Sequence, residues 1–469
     1  MTGNKYISSF IDDDALLKKL AEGRAGASDS KRVSEILQKA AKANGLNVDE
    51  AAVILQLEDP ELLGELYRVA GAVKQSIYGR RMVLFAPLYI SDYCVNNCRY
   101  CGYKHSSPQP RRKLTMREIA DETNAILAMG HKRLALEQGE DDENNPIEYV
   151  IEALETIYAQ RYNGSNIRRA NVNIAATTVE NYRRLKDAGI GTYVLFQETY
   201  HRATYEKLHR GPKAKFERQL FAMHRAMEGG VDDVGLGALF GLYNWRFDVL
   251  AMLTHAETLE KDMGVGPHTF SVPRIREAAG VDLSMFTDPV SDADFKKLVA
   301  VLRLAAPYAG MLLSTRESVE VRREVMAVGI SQISAGSRTG VGGYTFKSKG
   351  EEEQKPQFEV EDTRRPIEVI QSLVDSGYWP SFCTACYREG RTGDRFMKLA
   401  KTGQIQNVCG PNALLTFQEY LRDFGNTRLK ESGQKLIAQA LNDFENTRMR
   451  EVTAEKLSRI CTGDFDLHL

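Results

Sequence analysis

The spacing of apolar residues changes along the chain and divides it into three parts. From residue 10 to about 80, apolar residues recur at helical spacing, as in DDDALLKKLAEG and DSKRVSEILQKAAKA. Short apolar runs then alternate with amphipathic helices up to about residue 345. A polar stretch, GYTFKSKGEEEQKPQFEVEDTRRP, is typical of a surface linker and leads into more helices. We therefore expect an N-terminal helical extension (1–80), a central domain (81–345) and a small, mostly helical C-terminal domain (346–469).

Eight apolar runs are the candidate strands of the central domain. They are MVLFAPLYIS (82–91), RLALEQGE (133–140), NVNIAAT (171–177), GTYVLFQET (191–199), VGLGALFG (234–241), HTFSVPRI (268–275), GMLLSTRE (310–317) and ISQISAGS (330–337). Eight strand–helix units over about 260 residues predict an α/β fold, a (β/α)8 barrel. The glycine-rich fifth run is the weakest of the eight.

Polar residues follow the C-terminal ends of these runs, and barrel enzymes build their active sites on that rim. They include Gln138, Gly139, Glu140, Thr177, Glu198, Arg274, Ser314, Arg316, Ser334 and Ser337. The alternative is that strand ends are polar simply because loops are solvated.

Composition narrows the choice of partners. The chain has 469 residues with 62 Lys+Arg and 63 Asp+Glu. A nearly neutral chain lacks the broad positive charge that would attract nucleic acid or an anionic membrane. The segment MTGNKYISSFIDDD lacks the basic and apolar regions of a secretory signal. No run approaches the roughly 20 apolar residues that span a bilayer. We therefore expect a cytoplasmic protein with no membrane or nucleic-acid partner.

The cysteines form two close groups of three and one outlier. The groups are Cys94-x3-Cys98-x2-Cys101, directly after the first run, and Cys383-x2-Cys386-x22-Cys409, among the C-terminal helices. This distribution is a poor disulfide framework and indicates metal or cluster binding in a cytoplasmic chain. Three thiolates bind three irons of a 4Fe–4S cubane and leave the fourth iron open.

Structural zinc is the alternative for both groups, and zinc takes four ligands. The fourth ligand of the first group would be His105, at an awkward spacing. That of the second group would be Cys461 or His468. The spacing favours clusters in both places, and Cys461 is expected to be a spare buried thiol.

The first cysteine motif resembles that of the radical S-adenosylmethionine (SAM) superfamily, and the resemblance spans the predicted barrel. It implies that SAM binds the open iron and is cleaved to a 5′-deoxyadenosyl radical. By resemblance the SAM contacts are Gly139 and Glu140, with Gln138 in the place of the first glycine of a G-G-E-like motif, and Glu198 and Arg218. Glu198 and Arg218 have a plain alternative as solvated charges on the barrel surface. Tyr103, or else Tyr100, lies against the adenine or packs under the cysteine loop.

Four phrases, QETYHRATYEKLH, GPHTFSVPRI, LLSTRE and ISAGSRTGVGGY, resemble the aromatic amino-acid lyase branch of that superfamily. This branch includes the thiamine-pathway tyrosine lyase ThiH. The resemblance implies tyrosine as substrate, with p-cresol and dehydroglycine as products. A free amino acid needs a cation for its carboxylate, and the candidate is Arg316, helped by Ser314, Ser334 and Ser337. The alternative for Arg316 is a salt bridge to Glu317 or to a neighbouring loop.

The second cysteine group, appended to such a barrel, resembles the HydG family of FeFe-hydrogenase maturases. The resemblance implies an auxiliary 4Fe–4S cluster with an additional iron, bridged by free cysteine or a similar amino acid. Dehydroglycine would be converted there to carbon monoxide and cyanide. The implied partners are other hydrogenase maturation proteins and an electron donor. His268 matches the ligand of the extra iron, although a lone histidine is more often structural.

His268 opens the sixth run, so we expect it at the N-terminal mouth of the barrel, opposite the first cluster. Two clusters at opposite ends require an internal passage, against the usual packed barrel interior. The small residues Gly235, Gly237 and Ala238 indicate room for one. Two other functions stay open: a 2-iminoacetate synthase of thiamine biosynthesis, and an iron–sulfur scaffold or electron carrier without lyase activity.

Overall fold

Eight parallel strands close into a barrel in the computed structural model, which describes residues 9–346 and 355–469. The strands are β1 (Arg81–Ser91), β2 (Arg133–Gln138), β3 (Arg169–Asn173), β4 (Tyr193–Glu198), β5 (Val234–Ala238), β6 (Thr269–Ser271), β7 (Gly310–Leu313) and β8 (Gln332–Ser334). Each pairs with the next, and β1 pairs with both β2 and β8, which closes the sheet. All eight predicted runs contain a strand, and the (β/α)8 architecture is confirmed.

Helices surround the barrel and make up most of the rest of the chain. Before the barrel lie α1 (Asp13–Ala27), α2 (Ser30–Ala40), α3 (Val48–Leu55) and α4 (Pro60–Tyr78). Between the strands lie α5 (Met116–Ala128), α6 (Ile147–Ala159), α7 (Val179–Asp187), α8 (Arg202–Leu208), α9 (Phe216–Leu220), α10 (Ala222–Glu228), α11 (Trp245–Met263), α12 (Asp292–Ala305) and α13 (Val319–Val328). After the barrel come α14 (Pro366–Asp375), a ninth strand β9 (Trp379–Ser381), α15 (Ala385–Arg388), α16 (Gly393–Lys401), α17 (Gln406–Phe424), α18 (Thr427–Asn442) and α19 (Thr447–Cys461). None of the helices in the described ranges is long and apolar enough to cross a membrane.

The barrel interior is more polar than the branched apolar layers that usually fill such barrels. On β3, Ala170 and Val172 are fully buried, whereas the alternate residues Arg169 and Asn173 keep partial exposure. The hydroxyls of Thr269 and Ser271 on β6 are buried without a hydrogen-bond partner among the described residues. Such groups are costly unless water or a ligand satisfies them. The interior is therefore suited to a polar occupant.

The segment after the barrel crosses the C-terminal mouth of the barrel. The backbone N–H of Gln357 donates to the Thr339 carbonyl (2.9 Å), and the Gln357 carbonyl accepts from the Gly102 N–H (3.2 Å). Phe358 is buried. The expectation of a surface linker is wrong for these two residues, because burial of the Phe358 ring stabilises the segment against the barrel. Residues 347–354 of that expected linker lie outside the described residues.

The C-terminal helices pack against the opposite, N-terminal mouth. There β9 extends the sheet by pairing with the first residues of β1, Trp379 opposite Arg81. One apolar core runs through the N-terminal helices, the barrel and the C-terminal helices, and the three-domain division stays a prediction. Cys461, expected to be buried, is exposed at the end of α19, because Ile460 takes the buried position in that turn.

A buried ion cluster joins the barrel to α17. Glu419 Oε1 lies 2.8 Å from Lys132 Nζ and 2.5 Å from Arg168 Nη2. Burial raises the pKa of Glu419, but the charges of Arg168 and Lys132 outweigh this effect and lower the pKa to about 2. The carboxylate is therefore ionised at neutral pH, and its two cations hold α17 against the starts of β2 and β3.

Replacing Glu419 by Gln should destabilise the fold, because Lys132 stays buried without its carboxylate. We expect the free energy of unfolding in urea to fall by about 3–5 kcal/mol. The control is Asp375→Asn, which removes the exposed pair with Arg428 (3.0 Å) and should cost less than about 1 kcal/mol. Equal losses in the two variants would contradict the role given to the buried cluster.

Candidate active sites at the two mouths of the barrel

The first cysteine triad lies on the loop between β1 and α5, at the C-terminal mouth. Cys94, Cys98 and Cys101 are free thiols that line one cavity of about 140 Å³. The backbone N–H of Val95 donates to the Glu140 carbonyl (2.7 Å), which anchors the loop to the end of β2.

The surroundings of these thiols suit cluster ligands. Burial raises the pKa of each, to about 11 for Cys101, in the absence of a bound cation. N–H donors point at the sulfurs: the Tyr103 backbone lies 3.4 Å from Cys101 Sγ, and Asn96 Nδ2 lies 3.9 Å from Cys94 Sγ. Such donors stabilise cluster-bound thiolates. In the described ranges, no three Cys, His, Asp or Glu side chains converge to hold one metal ion; a cubane spreads its ligands over three irons.

The end of β2 brings three predicted cofactor contacts to the same cavity. A Cβ at Gly139 would lie 2.3 Å from the Tyr93 carbonyl oxygen, so the close approach to the cysteine loop requires glycine. Arg218 reaches the site only through Glu140, whose Oε1 accepts from Arg218 Nη2 at 2.6 Å. The amide oxygen of Gln138 is buried without a protein partner among the described residues and is available to a ligand.

The end of β4 contributes a strained carboxylate to this cavity. Glu198 adopts a φ of 70°, in the left-handed region that non-glycine residues rarely occupy. Its Oε1 lies 2.6 Å from Lys213 Nζ. Although burial lowers it, the nearby Glu198 raises the pKa of Lys213, which stays cationic. Lys213 was missed from the sequence, because GPKAKF lies between elements and carries no periodic signal.

The two tyrosines of the loop are fixed by the protein. The Tyr103 hydroxyl donates to the Thr339 carbonyl (2.7 Å), and its ring lies edge-on to Tyr89. Tyr100 OH lies 2.8 Å from His209 Nε2. Both rings line the thiol cavity, and ring contact with a cofactor stays a prediction.

A second chamber of about 80 Å³ adjoins the thiol cavity deeper in the barrel. It brings together all four of the predicted substrate residues: Ser314, Arg316, Ser334 and Ser337. Ser337 Oγ is buried without a partner among the described residues, whereas Ser334 Oγ accepts from the Thr315 backbone N–H (3.1 Å). Arg316 lines both spaces and lies at the boundary between them.

The guanidinium of Arg316 stacks on the Phe358 ring, 3.2 Å from its centroid. Glu317 does not pair with Arg316. It faces the other way and pairs with Arg274 and with Arg276 (2.7 Å). The alternative of an Arg316–Glu317 salt bridge is therefore wrong, because neighbouring side chains after a strand leave on opposite sides.

Glu137 also lines both spaces and was missed from the sequence. Burial raises its pKa to about 8, against the lowering effects of Arg316 and a hydrogen bond from Asn173. At neutral pH the carboxyl is mostly protonated and leaves the charge of Arg316 uncompensated. Strand alternation was the available signal, since Glu137 shares the inward face of β2 with Arg133.

The second cysteine triad lies at the N-terminal mouth. Cys383 follows β9, Cys386 lies in α15 and Cys409 lies in α17, and all three line one cavity of about 40 Å³. His268 lines it too, with Nδ1 3.4 Å from Asp233 Oδ1. The structure thus places His268 beside this triad and opposite the first one, and a ligand role stays a proposal.

The cations around the second triad, which we also call the lower triad because it lies at the N-terminal mouth, were not predicted from the sequence. Arg81 and Arg133 line the cavity, and Arg133 Nη1 donates to the Cys383 carbonyl (3.0 Å). The hydrogen bond that Cys386 shares with Cys409 lowers the pKa of Cys409 and raises that of Cys386, and burial raises the pKa of Cys383. Nearby cations favour thiolates over thiols, so this pocket also suits cluster ligands.

The side chains considered as fourth zinc ligands lie elsewhere. Cys461 is exposed, and His468 Nε2 lies 2.9 Å from Glu389. His105 is exposed and contacts the backbone carbonyl of Cys94 (3.3 Å). Neither triad cavity is lined by any of the three.

Comparison with known protein families finds a match for each half of the barrel. Residues 88–251 match the radical SAM superfamily, and residues 271–379 match the Biotin and Thiamin Synthesis associated domain. A crystal structure of HydG, a maturase of the [FeFe]-hydrogenase, is 54% identical with a TM-score of 0.94, over 98% of this chain and 100% of that one. The chain belongs to the HydG family of radical SAM enzymes.

Two further relatives agree with this assignment. The FeFe-hydrogenase maturase HydG from Carboxydothermus hydrogenoformans is 38% identical with a TM-score of 0.81, over 95% of this chain and 100% of that one. The 2-iminoacetate synthase of Salmonella typhimurium is 32% identical over 349 residues, 73% of this chain and 89% of that protein. Membership implies a 4Fe–4S cluster and SAM, and the first triad fits both.

In this HydG-family barrel the second chamber and the cavity of the second triad approach each other closely. Phe85 of β1 lines the second chamber, and Val83, two residues earlier on the same strand, lines the cavity of the second triad. A Cβ at Gly235 would lie 2.6 Å from Thr269 Oγ1, so the Thr269 side chain fills the space beside this glycine, and an internal passage stays a prediction.

Replacing Gly139 by Ala should displace the first cysteine loop, because the added methyl would overlap the Tyr93 carbonyl. We expect iron after anaerobic reconstitution to fall by about four atoms per chain, the content of one cubane. The control is Gly64→Ala in α4, where nothing lies within 4 Å of the new Cβ and helix propensity favours alanine. Unchanged iron in the Gly139 variant would contradict the steric argument.

Proposed function

We propose that this radical SAM enzyme is a tyrosine lyase that makes p-cresol and dehydroglycine, then converts dehydroglycine to carbon monoxide and cyanide for FeFe-hydrogenase maturation. Arg316 is the observation that carries the proposal. Its guanidinium faces the second chamber, beside the thiol cavity, and no carboxylate within the described ranges pairs with it. An enclosed cation without a counter-charge is costly, and a substrate carboxylate would satisfy it with two parallel hydrogen bonds.

The second chamber suits an aromatic amino acid. Phe85, Pro87 and Leu312 supply apolar wall for a ring, and the unpartnered Ser337 hydroxyl can bond a polar group. Protonated Glu137 adds a hydrogen-bond donor without competing for Arg316. The chemistry of these walls supports tyrosine over an aliphatic or anionic side chain.

The first triad would hold the SAM-binding cluster, which supplies the radical that removes hydrogen from the substrate amino group. The chain positions this cofactor with Gln138, Gly139 and Glu140, and Arg218 orients Glu140. Lys213 holds Glu198 against the same cavity. The enclosure formed by Phe358 over Arg316 excludes water from the reacting groups.

The second half of the reaction is assigned to the N-terminal mouth. Cys383, Cys386 and Cys409 would hold an auxiliary cluster, and His268 would bind the additional iron. Dehydroglycine contains the atoms of one carbon monoxide, one hydrogen cyanide and one water, so this step needs no external oxidant. Dehydroglycine would pass from the second chamber, which reaches Phe85, to the cavity of the second triad, which reaches Val83.

Two other functions would each leave one feature of the structure without a use. A 2-iminoacetate synthase would stop at dehydroglycine and would have no use for a second cluster. An iron–sulfur scaffold or electron carrier would have no use for the Arg316 chamber. The reconstituted chain should release p-cresol, cyanide and carbon monoxide when given reductant, SAM and tyrosine, and absence of p-cresol would refute the lyase.

Replacing Arg316 by Met should remove the carboxylate anchor while keeping the volume of the side chain. Charged hydrogen bonds of this kind are worth about 2–4 kcal/mol, so KM for tyrosine in the p-cresol assay should rise about 30-fold or more. The control is Arg276→Met, which loses an ion pair to Glu317 but does not line the chamber. An unchanged KM in the Arg316 variant would contradict the anchor.

Replacing Cys386 by Ala should separate the two halves of the reaction. The variant should keep p-cresol formation within about twofold, because the first cavity is untouched, and should lose carbon monoxide. Metal analysis should show about four irons per chain instead of eight or more. Carbon monoxide at the wild-type level would remove the second triad from the mechanism.

A further inference from the structure

The turn that follows β4 sets the direction of the strained Glu198 side chain. The pairing register between β4 and β5 shifts between Phe196 and Glu198, and the Thr199 N–H donates back to the Gln197 carbonyl (3.0 Å). The chain therefore turns sharply at Glu198, whose positive φ is unfavourable for a residue with a Cβ. Such a conformation persists only where surrounding groups hold it in place.

Asp248, in the first turn of α11, holds this turn from behind. Its Oδ1 accepts hydrogen bonds from the Tyr200 backbone N–H (2.8 Å) and from Thr199 Oγ1 (3.0 Å). The Asp248 side chain is fully buried, so neither bond competes with water. One carboxylate oxygen thus ties the two residues that follow Glu198 to a long helix.

The Asp248 carboxyl is costly at a buried position. Its Oδ2 is buried without a hydrogen-bond partner, and no Lys, Arg or His forms an ion pair with it, within the part of the chain that the structure describes. Burial raises the pKa of this group to about 7, against the lowering effect of the bonds from Tyr200 and Thr199. A leucine of similar volume would avoid the cost of burying a polar group. The two hydrogen bonds to the turn are what the carboxyl provides in return.

The rest of the segment returns to Glu198 and is fixed at two further points. Asp13 of α1 accepts from the Arg202 backbone N–H (3.1 Å), which secures the start of α8. After α8 the chain comes back to the cavity, where Lys213 Nζ lies 2.6 Å from Glu198 Oε1. Glu198 is therefore held through its side chain by Lys213 and through the following backbone by Asp248.

We propose that Asp248 is a positioning residue for SAM binding, which directs the Glu198 carboxylate into the cavity of the first triad through the turn at Thr199 and Tyr200. The inference rests on the proposed function in one respect, the contact between Glu198 and SAM. Glu198 lines the cavity beside the three cysteines. Lys213 holds its Oε1, and Oε2 is the oxygen assigned to SAM, whose hydroxyl and ammonium groups donate hydrogen bonds to carboxylates.

The test measures SAM affinity by calorimetric titration of the reconstituted chain without reductant, so that SAM binds but is not cleaved. Asp248→Leu removes both hydrogen bonds, and the Kd for SAM should rise about tenfold. Asp248→Asn keeps an oxygen that accepts from both donors and should give a Kd within about twofold of wild type. The matched control is His255→Phe in the same helix, which loses the bond to the Tyr200 hydroxyl (3.0 Å) and should leave the Kd unchanged.

A double-mutant cycle separates positioning from general damage to the fold. Glu198→Ala should itself weaken SAM binding, and in that background Asp248→Leu should cause no further rise in the Kd, because the carboxylate through which it acts is already missing. Iron content and the KM for tyrosine at saturating SAM should stay at wild type in Asp248→Leu. Asp248 lines neither the cavity of the first triad nor the second chamber.

An unchanged Kd in Asp248→Leu or in Glu198→Ala would overturn the proposal, as would additive losses in the double variant. If Asp248→Leu does not fold, Thr199→Val decides, since it removes one of the two hydrogen bonds and keeps the buried carboxyl. Its Kd should rise about threefold, and only when Glu198 is present; an unchanged Kd there would again overturn the proposal. Absence of p-cresol in the wild type would refute the proposed function and leave the SAM titrations intact.

Discussion

Closure of the parallel sheet through β1 is the constraint on which both sites depend. At eleven residues, β1 spans roughly 35 Å at the usual rise per residue. It leads into the loop of Cys94 at one mouth, and at the other it pairs with the strand that precedes Cys383. Pairing with β2 and β8 fixes the direction of β1, so the two cysteine triads are held at opposite ends of one rigid element.

The space between the two triads is kept polar at a cost in stability. Buried hydroxyls on β6 have no partner among the described residues, and Arg316 has no counter-charge there. A barrel packed with branched apolar side chains would be more stable but would have no room for a polar molecule. Compensation comes from outside the barrel interior, where the Glu419 cluster and the apolar core fix the C-terminal helices over the lower mouth.

The pairing of the charged residues leaves Arg316 available for the substrate carboxylate proposed above. Glu317 is used by Arg274 and Arg276, and burial keeps Glu137 protonated, so neither carboxylate occupies Arg316. In the cavity of the first triad the opposite holds, since Glu140 and Glu198 are each bound by a cation that orients them. One mouth of the barrel therefore presents a free cation beside two fixed carboxylates.

The sequence by itself determined the barrel, the two cysteine triads and the residues at the strand ends, because periodicity and motif spacing are local properties of the chain. Tertiary structure alone decided that Lys213 meets Glu198, that Arg81 and Arg133 surround the lower triad, and that Phe358 covers Arg316. It also decided that Cys461 is exposed. These outcomes depend on contacts between distant segments and on desolvation, which raises or lowers a pKa according to burial rather than to residue type.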